Sequence, residues 1–178
     1  MTVRHEGRAL GAPVVAPRRP ADDMDGVPLR PAGRPSAPPA GQRAGDGTAR
    51  YPAASEEDLL ALRHAVRAAT VEAGFGLVDQ TRIVTAASEL ARNAFVYGGG
   101  GTVEIRPLVS AGRSGLRLTV SDDGPGIADL ERCLTDGYTT GSGLGHGLGG
   151  ARRLMHDFRV DTAPGQGTTV VVTRWRDR

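Results

Sequence analysis

Lysine is absent, so all 22 basic residues of this 178-residue chain are arginine. A Walker A loop depends on a lysine that reaches the β- and γ-phosphates, and a P-loop nucleotide site is therefore excluded. A GC-rich genome is the plain origin of such a bias, and the exclusion holds whatever the origin. Cysteine occurs once, at Cys133, which excludes an internal disulfide and a cysteine-rich zinc site and fits a reducing cytoplasm. No apolar run approaches the roughly 18 to 20 residues of a membrane-spanning helix. The opening "MTVRHEGRALGAPVVAPRRP" breaks on prolines where a secretory signal needs an apolar stretch. A soluble, cytoplasmic chain without membrane contact is expected. Aromatic residues make up only 4%, and none stands among the arginines of residues 1–50. That basic stretch lacks the density and the stacking groups of a nucleic-acid arm, so no nucleic-acid partner is expected.

What is present divides near residue 50. Residues 1–50 hold eight of the twelve prolines and show no apolar period of helix or strand type. They are expected to be a disordered Pro/Arg-rich leader, with a folded domain over 51–178. The leader carries eight arginines against five acids and the domain fourteen against fifteen, so the basic excess belongs to the leader.

In the domain, "SEEDLLALRHAVRAATVEAGFG" places Ser55 and Asp58 at capping-box spacing, with Leu59, Leu62, Val66 and Ala69 on one helical face and Gly74 as the stop. A second helix is expected from Asp79 as N-cap to Tyr97, with Ile83, Leu90 and Ala94 inward and Gly98 to Gly101 ending it. "TVEIRPLV" and "LRLTVSDD" alternate as a hairpin, in which Pro107 means that the first strand ends early or lies on an edge. "ARRLMHDF" reads as helix, and "FRVDTA" and "TTVVVTRW" flank the turn "PGQG" as a second hairpin. The expected order is helix, helix, hairpin, loop, helix, hairpin. Helices grouped apart from hairpins predict an α+β, two-layer sandwich, with helices on one face of a mixed, mostly antiparallel sheet.

The segment "TTGSGLGHGLGG", residues 139–150, holds six glycines. Gly145, Gly147 and Gly150 spell G-x-G-x-x-G, yet no strand precedes them directly and residues 165–173 contain no acid, so a dinucleotide fingerprint is rejected. Two other groupings carry chemistry. In "SELARN", Glu89 and Asn93 stand at i and i+4 on one helical face. A carboxamide oxygen suits Mg²⁺ and a carboxylate can take a proton from a hydroxyl, although for this pair on its own a solvated face is the better reading. In "DDGPGI", Asp122 to Ile127, a carboxylate at a strand end can accept an amino group while Gly124 and Gly126 let backbone approach a base; alone, the segment is as readily a turn.

In order, "ELARN", "DDGPG", "GSGLGHG" and "GQGT" resemble the N, G1, G2 and G3 boxes of the ATPase superfamily that unites gyrase B, MutL, the 90 kDa heat-shock chaperone and histidine kinases. Within that superfamily, "TRIVTAASELARNAFVYGGGGTVEI" and "DDGPGIADLERCLTDGYTTGSGLGHGLGGARRLMHDF" look like the RsbT type of anti-sigma serine/threonine kinase. The likeness spans about residues 53–176 and implies the Bergerat-type ATP-binding fold. It further implies that Asp122 binds the adenine amino group, that Asn93 holds Mg²⁺, and that Glu89 orients or deprotonates the attacking hydroxyl. Gly124, Gly126 and Thr168 would line the base. Gly141, Gly143, Gly145 and Gly147 would form a lid whose amides, with the start of the next helix, hold the triphosphate. Arg92, and Arg152 or Arg153, are candidates for phosphate charge, with a surface role the competing reading.

One departure is His146, inside the lid where these families commonly carry an apolar residue. The resemblance implies ATP and Mg²⁺ as cofactors, a STAS-domain antagonist protein as substrate, and a phosphatase or other output regulator as a further partner. Two alternatives remain: a non-catalytic ATP-binding scaffold, and the ATP-binding domain of a histidine kinase. The second lacks a dimerising helical hairpin with a phospho-acceptor histidine.

Overall fold

Ser55 caps α1 (Glu56–Glu72) as its spacing predicts: its Oγ accepts from the Asp58 amide at 3.1 Å, and Asp58 Oδ2 accepts from the Ala54 amide at 3.1 Å. The structure, a computed structural model, describes residues 42–43, 47–134 and 147–177. After α1 come α2 (Leu77–Val96), the hairpin β3 (Gly101–Ser110) and β4 (Arg113–Asp122), then α3 (Leu130–Leu134), α4 (Gly147–Leu154) and the hairpin β5 (Asp157–Thr162) and β6 (Thr168–Trp175). Two strands precede α1: β1 (Gln42–Arg43) and β2 (Ala49–Ala53). They join the sheet, whose order is β1-β2-β3-β4-β6-β5.

Sequence patterning expected both helices before the sheet and gave no sign of β2. The reason is its composition: "ARYPA" has no β-branched residue and contains Pro52. Among the described residues β1 pairs with Arg50 and Ala49 alone, so Pro52 has no described strand neighbour on that side, where a missing amide is tolerated. The same geometry settles Pro107. β3 runs on to Ser110, but β2 covers it only from Gly101 to Ile105, so Pro107 lies on an edge without ending the strand. The sheet was expected to be mixed and mostly antiparallel; every pairing recorded is antiparallel.

One face of the sheet is apolar. Val103 and Ile105 of β3 stand opposite Val120 and Leu118 of β4, which stand opposite Val170 and Val172 of β6. All six are buried. α2 lays Ile83, Ala86, Ala87, Leu90, Ala91 and Ala94 against them, and the four alanines let the helix sit low on the sheet. Leu62 and Val66 of α1 and Leu148 and Ala151 of α4 complete the core on that same side. The other face is polar, with Arg117, Thr119 and Ser121 of β4 alternating outward. The fold is thus α+β in two layers. No helix among the described residues is long and apolar enough to cross a membrane.

Asp79 is not the N-cap of α2. Gly76 occupies that position without a side-chain hydrogen bond, and Asp79 turns inward. Its Oδ1 accepts from Arg174 Nη2 at 2.7 Å and Nε at 3.0 Å, and Arg174 Nη1 donates to the Leu154 carbonyl at 2.7 Å. A buried guanidinium competes for a carboxylate more strongly than exposed helix amides do. One arginine on β6 thereby ties the start of α2 to the end of α4.

Asp79→Ala would leave the Arg174 side chain, 7% exposed, without its anion. The expected loss is about 3 kcal/mol, read as a fall in the urea midpoint, with most of it recovered in the Asp79→Leu/Arg174→Met double variant. An unchanged midpoint in the single variant would contradict the tie.

Candidate functional site

The site is built on one row of the sheet. Ala53 stands opposite Gly101, Gly101 opposite Asp122, Asp122 opposite Thr168, and Thr168 opposite Thr162. Directly paired residues project to the same face, so Asp122, Thr168 and Thr162 share the helix-covered side at the sheet's end. Period-two patterning explains the polar insertion: Leu116, Leu118 and Val120 are core, and the next residue on that face is Asp122, where the apolar layer stops.

The last turn of α2 presses on this row. A Cβ built on Gly98 would lie 2.5 Å from both Cβ and Cγ of Asp122 and 2.6 Å from the Ala94 carbonyl. Only a residue without a side chain lets the helix end and the carboxylate share that space. Gly124 donates its amide to Asp122 Oδ1 at 3.0 Å, closing an Asx turn. Oδ2 has no donor among the described residues. Gly167, at φ +73°, brings its backbone against the Asp122 carbonyl and donates its amide to the Gly124 carbonyl at 3.0 Å. The G1-like loop and the "PGQG" turn are thus bolted together, with Gly126 packed against Ala163 between them and the Gly165 amide on the Pro125 carbonyl at 2.7 Å.

Glu89 and Asn93 are half-buried on α2, one turn apart, and neither side chain hydrogen-bonds another described residue. Asn93 leads directly into the pressed turn: its backbone carbonyl accepts from the Tyr97 amide at 2.9 Å and from the Gly98 amide at 3.4 Å. The uncommitted carboxamide and carboxylate are hard oxygen donors, and this fits a Mg²⁺ ion that keeps several waters and takes few protein ligands.

The predicted residues do not all converge. Asp122, Gly124, Gly126 and Thr168 form one cluster, and Asn93 borders it through Gly98. Arg92 is exposed, and its Nη1 lies 3.5 Å from Glu56 Oε1 at the start of α1. Arg152 and Arg153 are exposed on α4. Gly147 is the first residue of α4; Gly141, Gly143, Gly145 and His146 lie outside the described residues. Tyr97 is 54% exposed and caps no core. Trp175 lies over Gly115 and donates Nε1–H to Asp157 Oδ2 at 3.1 Å, a strand-edge role. Burial, aided by Asp129 and partly offset by Arg132, pushes the Cys133 thiol above the usual cysteine range, which keeps it protonated and weakly nucleophilic at neutral pH.

Two residues of the site, Gly98 and Thr162, escaped the sequence reading. Gly98 counted only as a helix stop, although four successive glycines exceed what one stop requires. Gly167 stood within the "GQGT" motif without a role of its own. Thr162 looked like the last polar position of a strand. Its hydroxyl in fact joins both loops, accepting from the Ile127 amide at 2.9 Å and donating to the Gly167 carbonyl at 2.9 Å.

An antiparallel sheet backed on one face by helices, with a half-buried Glu/Asn helix ending against a strand-end aspartate, defines a histidine-kinase- and gyrase-like ATPase domain. Residues 78–177 match the family described as histidine kinase-, DNA gyrase B- and HSP90-like ATPase. The chain is 43% identical over 121 residues to the serine/threonine-protein kinase RsbT of Bacillus subtilis, covering 68% of this chain and 91% of that protein. It is 34% identical over 103 residues to the anti-sigma F factor of Bacillus licheniformis, covering 54% of this chain and 69% of the relative. Among solved structures, the RsbU and RsbW domains of a Mycobacterium tuberculosis protein superpose with a TM-score of 0.51 at 21% identity, over 73% of this chain and 33% of that one, a likeness of fold alone. The chain belongs to this ATPase family and, within it, to the serine/threonine-protein kinases of the RsbT type.

Gly98→Ala should lower the unfolding midpoint by the equivalent of about 2 kcal/mol or more, because the new methyl must displace Asp122 or the end of α2. At Gly147 no described residue lies within 4 Å of an added Cβ. Gly147→Ala should therefore be neutral or stabilising by up to about 1 kcal/mol. Equal midpoints for the two variants would refute the close approach.

Proposed function

We propose that this protein is an ATP- and Mg²⁺-dependent serine/threonine kinase of a bacterial partner-switching pathway, acting in the cytoplasm on a hydroxyl of a STAS-domain antagonist protein. The observation that carries the reading is the abutment of the Glu89/Asn93 helix on the Asp122 row through Gly98. It puts groups suited to a base, to a metal and to a hydroxyl along one short path. The kinase domain of this proposal covers residues 51–178 together with Ala49 and Arg50, the first residues of β2, behind a Pro/Arg-rich leader.

Each residue has a task. The Asp122 carboxylate accepts from the adenine amino group, and Gly124, Gly126 and Thr168 shape the space for the base. Asn93 would hold Mg²⁺, which would supply positive charge to offset that of the phosphates. The amides of Gly141, Gly143, Gly145 and Gly147 and the start of α4 receive the phosphates. Arg92 would leave Glu56 for the phosphates at little cost, since that pair is exposed and 3.5 Å apart. In the transfer, the substrate hydroxyl oxygen bonds to the γ-phosphorus, the bond from that phosphorus to the β,γ-bridging oxygen breaks, and the hydroxyl proton passes to Glu89. ADP leaves with the electron pair of the broken bond.

The anti-sigma F factor relatives favour a second output, in which the same domain sequesters a regulator and nucleotide shapes the interface. A phosphatase or comparable output protein is the partner of that kind.

Asp122→Asn should weaken ATP binding in calorimetry by about tenfold or more, because an acceptor-only carboxylate becomes a mixed donor and acceptor facing an amine. Affinity equal to wild type would remove Asp122 from the site. Transfer to STAS-domain proteins from the same genome tests the chemistry with radiolabelled ATP. Glu89→Ala should bind ATP normally yet lose about 10² to 10⁴-fold in transfer rate, the span of a positioned proton acceptor. Asn93→Ala should lose both binding and transfer. Tight, ATP-dependent capture of a STAS protein by wild type without any transfer would replace the kinase by the scaffold.

A further inference from the structure

The row that carries Asp122 does not end at Thr168. Thr168 Oγ1 lies 3.1 Å from Thr162 Oγ1, and either oxygen could donate on distance alone. The other contacts of Thr162 decide the direction. A threonine hydroxyl has one proton, and the Gly167 carbonyl, 2.9 Å from Thr162 Oγ1, can only accept. Were the Thr162 proton directed at Thr168 instead, that 2.9 Å contact would set lone pairs against lone pairs. The Thr162 proton is therefore committed to Gly167. The Thr162 oxygen already accepts from the Ile127 amide at 2.9 Å and keeps room for one more donor, which is the Thr168 hydroxyl.

We infer that Thr162 is a positioning residue for base selection: by taking the Thr168 proton it leaves Thr168 an acceptor on the side facing Asp122. The inference rests on the nucleotide reading above and deepens it. The row then offers a ligand two acceptors side by side, the Asp122 carboxylate and the Thr168 oxygen, and no hydroxyl proton. Such a wall suits a purine with an amine at C6 and disfavours one with a carbonyl there, whose oxygen would meet acceptors only. Thr162 touches no base itself. It acts through Thr168.

The test compares ATP with inosine triphosphate, which carries a carbonyl in place of the C6 amine, by calorimetry on the full chain. Thr162→Val removes the acceptor, so the Thr168 proton is free to serve a C6 carbonyl, and the preference for ATP over inosine triphosphate should fall about tenfold, the worth of one hydrogen bond. Thr162→Ser keeps the hydroxyl and should restore the wild-type ratio. Loss of the loop contacts alone would weaken both nucleotides together and leave the ratio untouched, so the ratio isolates the proton arrangement from mere packing. Should the valine protein not fold, Thr162→Cys, whose thiol accepts weakly, should show the same fall. A ratio equal to wild type in the folded valine or cysteine protein overturns the inference while leaving the nucleotide site standing. Wild-type protein that binds neither nucleotide overturns the nucleotide reading itself.

Discussion

The distance between the end of α2 and the end of β4 is the constraint on which the site depends. At Gly98 there is no room for a single carbon atom between the helix backbone and the Asp122 side chain. That contact converts two separate sequence motifs into one place. It also explains why the helix carries alanines along its buried side: Ala94 would lie 3.0 Å from a Cβ on Gly101, so both the helix and the strand beneath it are trimmed to their minimum there. Close packing of this kind transmits displacement instead of absorbing it. A methyl group at the junction would therefore move the carboxylate, the helix end, or both.

A helix held at one end can still rotate, and the second constraint removes that freedom. Asp79, in the first turn of α2, is gripped by Arg174 of β6, which also holds the Leu154 carbonyl at the end of α4. The 20 residues of α2 are thus pinned to the sheet at both ends, about 30 Å apart. Glu89 and Asn93 lie between the pins, and their azimuth is fixed by the apolar stripe from Ile83 to Ala94, which they border. The half-buried polar pair keeps its position without hydrogen bonds of its own to described residues, which is what leaves its oxygens uncommitted. The same arginine ties the end of α4 to the start of α2.

How much of this was legible in the sequence follows the range of each interaction. The cap of α1 was legible because Ser55 and Asp58 satisfy one another within a single turn. Asp79 was misread as a cap because local chemistry could not reveal Arg174, 95 residues away. The two hairpins were legible from alternation and turn residues. β2 was not, since alanines, a tyrosine and a proline become a strand only by pairing with β3. For the site, the motif residues Asp122, Gly124, Gly126, Asn93 and Glu89 could be named because each sits in a short pattern. Thr162 could not, because its importance lies in a register: only when β5 pairs with β6 does it stand beside Thr168. Arg92 illustrates the reverse, a residue inside a motif whose structural neighbour is Glu56.

The asymmetry of the sheet determines from where a macromolecular substrate can approach. Its helix-free face carries Arg106 directly opposite Arg117, and like charges paired across strands do not pack as the floor of an apolar layer. The helical face is closed by α1, α2 and α4 over most of its area. Among the described residues, no helix covers the end of the row of Ala53, Gly101, Asp122, Thr168 and Thr162 beside the turn that leads from β2 into α1. Ala54 packs 3.5 Å from the Cβ position of Gly100, so the acidic first turn of α1, with Glu56, Glu57 and Asp58, stands next to the end of α2. Under the kinase proposal, a hydroxyl brought to Glu89 would pass this acidic rim and the Arg92–Glu56 pair upon it. A rim of that charge favours a substrate whose surface around the reacting hydroxyl is basic or neutral, and it repels one already carrying a phosphate.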